Sequence, residues 1–448
     1  MKNLMISISG VRGVIGETMT PDLITKMVAA FAHITGHGKV VLGRDSRPSG
    51  EFVKHIAKGT LLASGCEVVD LDIVPTPTVQ LITEILGADA GLVITASHNP
   101  VEWNGLKFID SDGLFFPPEK AEQLFELAEA GGFQTVPVES LGKTVVKDNA
   151  VEEHINRILK LDYIDVNALK KKKFKVVVDT VNGAGGTIIP ELLKALGCSV
   201  VGLNLEMTGF FAHNPEPLAE NIVELCQAVV KEKANLGIAV DPDVDRCALV
   251  DEKGIPLSEE YTLTLATKFV LSKKMGNVII NMSTTRAVEE ITKYYNCPIF
   301  RTPVGEIHVA KLMKEKSAAI GGEGNGGVIL PEIHLGRDAP VAVALTLQHL
   351  MEFGGTISEL RAEMPQYFIS KHKINIEGLD PDKILVKLEK IYKGATVNKD
   401  DGLKLDFDEY WNHIRKSNTE PIIRIIAEAR SEEEADKVCF DVINKINQ

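Results

Sequence analysis

Three times along this chain a short β-branched apolar run leads into a stretch with helical spacing, a second run, a second helical stretch and a third run. Each third run ends in a polar loop marked by glycine or proline. In the first copy the runs are 39–42 (KVVL), 66–71 (CEVVDL) and 91–95 (GLVIT), and the loop is Ala96-Ser97-His98-Asn99-Pro100. In the second they are 174–178 (FKVVV), 198–203 (CSVVGL) and 236–240 (LGIAV), and the loop is Asp241-Pro242-Asp243-Val244-Asp245-Arg246. In the third they are 277–280 (NVII), 298–302 (PIFRT) and 318–320 (AAI), followed by Gly321-Gly322-Glu323-Gly324-Asn325-Gly326-Gly327. Between the runs, Ile189, Leu192, Leu193 and Leu196 share one helical face, as do Ile222, Leu225, Cys226 and Val229. Continuous apolar strands alternating with helices predict mixed, largely parallel sheets covered on both faces. In such sheets ligands bind beyond the carboxyl ends of the strands, where these three loops lie.

The pattern changes near residue 366. A strand over 367–376, a helix over 381–392, the run IIRIIAEA and a final helix from Ser431 predict a smaller α+β unit. The expected architecture is therefore three similar α/β domains, 1–150, 151–252 and 253–365, and a C-terminal α+β domain, 366–448, around a central cleft.

Composition narrows the classes of function. The 448 residues are 44% hydrophobic, ample for several packed cores. The net charge of −13 argues against a nucleic-acid or anionic-membrane binder, which needs a basic field. No apolar run approaches the ~18–20 residues that span a bilayer. Arg12 arrives before any signal-like stretch forms, and the six cysteines are isolated, so a reducing cytoplasm is the expected compartment.

The loops carry the chemistry. Ser97 follows a buried strand, and Pro100 keeps Asn99 out of the helical region. A cap or turn serine is the plain alternative. Against it, the next segment, VEWNGLKF, contains Asn104-Gly105 and begins no regular helix, and Lys107 lies ten residues on. A serine nucleophile needs a proton acceptor and a charge sink nearby.

Asp241, Asp243 and Asp245 alternate, and on an extended segment they would point the same way and repel. A hard cation relieves that, and oxygen ligands select Mg²⁺ or Ca²⁺ over zinc. A solvated acidic turn is the plain alternative. An EF-hand would find Glu252 at its twelfth position, but its sixth is Arg246, not glycine, and its flanks LGIAV and CALV read as strands. An aspartate-nucleophile phosphatase would follow Asp-x-Asp with x-Thr or x-Val, where this chain has Val244-Asp245. Mg²⁺ is favoured, completed by an oxyanion that a phosphate on Ser97 would supply.

In the third loop, Glu323 and Asn325 stand out from five glycines whose flexibility suits a close approach to a ligand, and the carboxylate suits paired sugar hydroxyls or an amine. Arg415-Lys416-Ser417-Asn418-Thr419-Glu420-Pro421 reads as a phosphate nest or, alternatively, a solvated charge run. Arg44 and Arg47 sit in a further Arg/Gly loop, where either could pair with Asp45 structurally.

In this order TASHNP, DPDVDR, GEGNGG and RKSNTEP resemble the α-D-phosphohexomutase family, which includes phosphoglucosamine mutases, phosphomannomutases and phosphoglucomutases. The resemblance runs from SGVRG at Ser9 to RIIAEA at Arg424. It implies an isomerase that interconverts 6-phospho and 1-phospho sugars through a sugar 1,6-bisphosphate. It also implies a phosphoserine at Ser97, which with Asp241, Asp243 and Asp245 ligates Mg²⁺, and an active-site arginine at Arg246. Glu323 and Asn325 would meet the sugar, and Arg415, Ser417, Asn418 and Thr419 the distal phosphate. Arg12 and Lys107 would transfer protons or support that transfer.

Many members have serine where Asn325 stands and histidine where Gly327 stands, which leaves the second proton-transfer group unassigned. His98 is a candidate by proximity, with a neutral, loop-bonded imidazole as the plainer role. The expected partner is a small phosphosugar, with no nucleic acid and no membrane, and the expected state a monomer or homodimer. Glucosamine phosphate is the favoured substrate, because Gly327 leaves room and removes an imidazolium that would repel an amine. A phosphomannomutase/phosphoglucomutase is the alternative. A non-catalytic sugar-phosphate binder is the rival of another class, but it has no use for a nucleophile beside a metal site.

Overall fold

The computed structural model describes residues 3–7, 10–416 and 422–448. Its strands form four sheets. The first contains β1 (Leu4–Ser7), β2 (Gly10–Val14), β3 (Lys39–Arg44), β4 (Glu67–Ile73), β5 (Ala90–Ile94), β6 (Trp103–Asp110) and β7 (Thr144–Val146), in the order β1-β2-β6-β5-β3-β4-β7. The second contains β8 (Lys175–Asp179), β9 (Ser199–Leu203), β10 (Leu236–Val240) and β11 (Cys247–Val250). The third contains β12 (Val278–Asn281), β13 (Ile299–Thr302), β14 (Ile320–Glu323) and β15 (Gly327–Ile329).

The repeat is exact in topology. Parallel triplets β4-β3-β5, β9-β8-β10 and β13-β12-β14 each gain an antiparallel neighbour, β6, β11 or β15. The polar loop after each third run is thus the turn into a returning strand, and the three turns occupy equivalent ends of their sheets.

The apolar runs are continuous because both faces of each strand are covered. In β3, Val40 and Leu42 enter one core and Val41 another. In β8, Val176 and Val178 face one core and Val177 the opposite one, and β12 splits Val278 and Ile280 from Ile279 in the same way. Each such side chain contributes roughly 1.5–3 kcal/mol by leaving water. One core runs unbroken through the second and third sheets.

The fourth sheet is antiparallel, built from β16 (Phe368–Asn375), β17 (Thr396–Asn398), β18 (Leu403–Asp406), β19 (Trp411–Lys416) and β20 (Ile422–Ala429) in the order β16-β20-β19-β18-β17. The helices Pro381–Ile391 and Glu432–Asn447 cover it, with a core of its own. This unit docks on the third sheet through polar contacts. Arg286 reaches Asp406 and the carbonyls of Phe407 and Tyr410, and Ser283 meets His413 at 2.9 Å. Lys404 donates to the Met282 carbonyl at 2.8 Å and lies over the Trp411 ring.

Burial, reinforced by Arg301, pushes the Lys404 ammonium down to about 7. The unfolded chain then binds a proton that the folded one does not, so stability rises with pH between about 7 and the ordinary lysine value. From pH 7 to 9, wild-type unfolding free energy is expected to grow by about 2 kcal/mol relative to Lys404→Met. Urea melts at both pH values check this.

Candidate active site

Ser97 sits in the turn between β5 and β6, and its backbone is left-handed, with φ of 51°. A side chain there costs roughly 1–2 kcal/mol, so the surroundings must hold it. They do so through Arg47, which is wholly buried. Arg47 pairs with Asp45 at 3.1 Å and donates to the carbonyls of Ser97 and Asn99, each at 2.6 Å, and of Pro100 and Trp103. Thr95 donates to Asp45 and accepts the Ser97 amide at 2.9 Å. Of the two arginines that could pair with Asp45, Arg47 does so. The Arg44 side chain instead meets the carboxylates of Asp72 and Glu51.

The Ser97 hydroxyl lies 3.3 Å from Nδ1 of His98 and 3.5 Å from Oδ2 of Asp241. Burial, with the nearby cations Arg246 and Arg12, pulls the His98 imidazole well below its usual value, so it is neutral at pH 7. Arg12 donates to Asn99 Oδ1 at 3.1 Å.

The three aspartates converge in the turn between β10 and β11. They do not line an extended segment as alternation suggested. Val244 is left-handed at φ 64° and its amide returns to the Asp241 carbonyl, so a tight turn brings the carboxylates together. All three are fully buried, with one oxygen of each within 4.8 Å of the others. Asp241 Oδ1 accepts the amides of Asp245 and Arg246. Asp243 Oδ2 accepts from Lys107 and Thr76, both at 2.6 Å. Asp245 Oδ2 accepts from Arg337 at 2.6 Å.

The opposite oxygens, Oδ1 of Asp243 and Oδ1 of Asp245, are buried with no hydrogen-bond partner. Orphaned carboxylate oxygens in a tight group fit a hard cation such as Mg²⁺. Burial and the charges of Asp245 and Asp243 push the Asp241 carboxyl well above the usual range. For Asp243 burial acts the same way, but Lys107 and Thr76 outweigh it and hold the group low.

Lys107, expected beside the nucleophile as a proton-transfer group, is ion-paired with Asp243 and reaches Asp245 at 3.5 Å. The Arg246 guanidinium pairs with Glu216 at 3.0 Å, and its Nε lies 3.8 Å from Oδ1 of Asp245. A cavity of about 460 Å³ opens beside the loop, lined by His98, Asn99 and Glu102 and, across it, by Phe211, His213 and Glu216.

Glu323 ends β14 and is nearly buried. It accepts from Asn281, the Gly305 amide and Arg337 at 2.8, 2.9 and 2.8 Å. Asn325, at the turn, accepts the Gly327 amide. The glycines here do not supply flexibility. All five lie in or beside β14 and β15, where a Cβ would meet protein atoms. A Cβ on Gly327 would stand 2.3 Å from Cδ of Arg337. The space expected to be open at Gly327 is therefore filled by the aliphatic stem of Arg337, whose guanidinium lies on Glu323. A cation nevertheless stands close by, on Glu323, so the lack of an imidazolium at Gly327 does not by itself favour an amino sugar.

Arg415 closes on Asp401 at 2.8 Å, and Asp401 accepts the Val304 amide. Ser417, Asn418 and Thr419 lie outside the described residues. Sequence reasoning missed Arg337 and Thr76. Arg337 carried one signal, its place directly before Asp338-Ala339-Pro340, which caps the helix Ala339–Phe353.

The chain matches the four successive Phosphoglucomutase/phosphomannomutase domains: alpha/beta/alpha domain I over residues 5–135, domain II over 152–254, domain III over 258–368 and the C-terminal domain over 374–445. It belongs to the phosphoglucomutase/phosphomannomutase family. The members of this family are phosphomutases, enzymes of the isomerase class. A phosphoglucomutase/phosphomannomutase of Thermococcus kodakarensis is 38% identical over 435 residues, 95% of this chain and 94% of that protein. A phosphoglucosamine/phosphogalactosamine mutase of Sulfurisphaera tokodaii is 34% identical, covering 96% of each. The crystal structure of a family protein from Burkholderia thailandensis superposes with a TM-score of 0.85 at 27% identity, over 99% of this chain and 98% of that one. No helix among the described residues is long and apolar enough to cross a membrane.

The strain at Ser97 gives a direct test. Ser97→Gly and Ser97→Ala both remove the hydroxyl, but only glycine accepts the left-handed backbone freely. Ser97→Gly is expected to be about 1 kcal/mol more stable than Ser97→Ala in denaturant melts.

Proposed function

We propose that this enzyme interconverts the 6-phosphate and 1-phosphate of a hexosamine or hexose, with glucosamine phosphate as the first candidate, through a phosphoserine at Ser97. The carrying observation is the Ser97 hydroxyl held beside a buried aspartate cluster with two orphaned oxygens. Asp241, Asp243 and Asp245, with a phosphate on Ser97, would hold Mg²⁺, which supplies charge neutralisation to the moving phosphoryl group.

In the forward half-reaction the Ser97 Oγ–P bond breaks as phosphorus bonds to the free sugar hydroxyl oxygen. That hydroxyl gives up its proton and the departing Ser97 Oγ gains one, so the serine hydroxyl is regenerated and no net proton is lost. The product is a sugar 1,6-bisphosphate. After it turns end for end, the reverse transfer returns a phosphoryl group to Ser97. Arg12 and Lys107 supply positive charge around the transfer, and neutral His98 hydrogen-bonds the serine. Arg246 would exchange Glu216 for substrate, and Glu323 with Asn325 would receive sugar hydroxyls or the amine. Arg415 would exchange Asp401 for the distal phosphate, with Ser417, Asn418 and Thr419 completing that site. Domains at 1–150, 151–252, 253–365 and 366–448 would each contribute one loop. A cytoplasmic monomer or homodimer remains the expected form.

A second substrate reading is favoured by Arg337. Its cation beside Glu323 removes the electrostatic advantage of an amino sugar, and the likeness to a phosphoglucomutase/phosphomannomutase supports the same reading. Rates on glucosamine, glucose and mannose 6-phosphates decide between the readings. Preference for glucosamine 6-phosphate by ~10-fold in kcat/KM, about 1.4 kcal/mol, supports the first. Mannose 6-phosphate as best substrate replaces it.

Ser97→Ala should lose on the order of 10³-fold in turnover while folding normally. The wild-type phosphate should survive acid and be lost in base, and hydroxylamine lability would instead indicate an acyl phosphate. Asp243→Asn should weaken Mg²⁺ binding and activity together, with partial rescue by excess Mg²⁺. Full activity in a chelator would refute the site.

A further inference from the structure

Arg337 is a buried cation with three carboxylate partners from three different elements. Nη2 donates to Asp245 Oδ2 in the turn after β10 at 2.6 Å. Nη1 donates to Glu323 Oε2 at the end of β14 at 2.8 Å. Nε donates to Glu306 Oε2, at the start of the helix Glu306–Lys316, at 2.9 Å. All four residues are at most 8% exposed. Burial opposes the charge of Arg337, but Asp245, Glu323 and Glu306 outweigh it and hold the guanidinium protonated.

The stem of the group is closely packed. It runs over the bare backbone of Gly327, where a Cβ would lie 2.3 Å from Cδ and 2.9 Å from Cγ. The residue after it is clamped as well. Asp338 caps the helix Ala339–Phe353 and accepts from His154 and His334 at 2.7 and 2.9 Å. A guanidinium is a rigid planar fork, so the directions of its N–H bonds fix the carboxylates relative to one another. Because Arg337 occupies Oδ2 of Asp245, it is Oδ1, without a hydrogen-bond partner and 3.8 Å from Nε of Arg246, that is left for a cation.

We propose that Arg337 is a positioning residue that fixes Asp245 toward the cation and Glu323 toward the sugar at once, so that cation binding and sugar-phosphate binding strengthen each other. This rests on the reading of Asp245 as a cation ligand and Glu323 as a sugar contact. Ordering either carboxylate orders the fork, and the second ligand then meets a carboxylate already in place.

Charge and geometry make opposite forecasts, which makes the idea testable. If Arg337 only balanced charge, removing it would raise cation affinity by Coulomb's law, and a lysine would leave it unchanged. If the fork positions Asp245, Arg337→Lys keeps the charge and still weakens binding. Mn²⁺ binding to the unphosphorylated protein, followed by electron paramagnetic resonance, reads this without turnover. Asp243→Asn serves as the control for the cation site itself. If it leaves Mn²⁺ affinity untouched, the site assignment fails. If it weakens binding and Arg337→Lys does not, the positioning role fails.

The expected result is a roughly 10-fold weaker Mn²⁺ affinity in Arg337→Lys. Glu323→Gln touches none of the three aspartates and preserves volume, so it provides a second measurement independent of how Arg337 variants fold. It should shift Mn²⁺ affinity two- to threefold. Saturating glucosamine 6-phosphate, or glucose 6-phosphate if it binds better, should tighten Mn²⁺ in the wild type at least 5-fold. Arg337→Lys, Glu323→Gln and their double variant should share one smaller factor. An unchanged factor in the variants would mean that the coupling bypasses Arg337, and would overturn the proposal.

Discussion

The structure is organised around buried negative charge. Asp241, Asp243, Asp245, Glu306 and Glu323 are all removed from water, and no fold tolerates that without compensation close by. Two buried cations supply much of it. Lys107, from the first sheet, holds Asp243, and Arg337, from the segment after the third sheet, holds Asp245, Glu306 and Glu323. Neither cation comes from the unit that carries the three aspartates. The acidic turn of the second domain is therefore stable only when its neighbours are docked, and catalytic geometry and domain assembly depend on the same ion pairs.

The repeat explains how three domains meet at one place. Each polar loop joins the third strand of a parallel triplet to a returning antiparallel one, so all three loops lie at the same end of equivalent sheets. The backbone joins them as well. The Thr76 amide bonds the Asp243 carbonyl, the Ala339 amide bonds the Val244 carbonyl, and the Cys247 amide bonds the Gly326 carbonyl. A cluster of carboxylates that must hold a cation at fixed distances gains from being pinned on two sides by main chain, which has no rotamers to lose.

Much of this was legible in the sequence, and the limits were physical. Strands buried on both faces leave continuous apolar runs, so β3, β8 and β12 and their parallel neighbours were visible from pattern alone. The serine, the three aspartates and Glu323 were visible because they stand at strand ends, where a buried polar residue needs a reason. What pattern could not supply was who pairs with whom. Arg337 lies 92 residues beyond Asp245, and nothing local distinguishes it from any arginine before a helix cap. The glycines of the third loop misled for a related reason. Glycine permits flexibility and also permits close packing, and only the position of Arg337 shows which is used at Gly327. Alternation of the aspartates suggested an extended segment, whereas Val244 turns the chain to the same effect.

The fourth unit is tied to the same network by a shorter route than its separate core suggests. Arg415 is held by Asp401, Asp401 accepts the Val304 amide, and the next amide, Gly305, donates to Glu323. Glu323 is thus three contacts from Arg415, and the link runs through main chain at residues 304 and 305. A phosphate that takes Arg415 from Asp401 frees a carboxylate beside the Val304 amide. The Gly305–Glu323 contact would then be the point at which the position of the fourth unit is felt at Glu323. Arg337 links that same carboxylate to the cation site. On the reading proposed above, Glu323 would be where the two ends of a substrate are brought into register, and its partners Asn281, Gly305 and Arg337 would keep it from following either end alone.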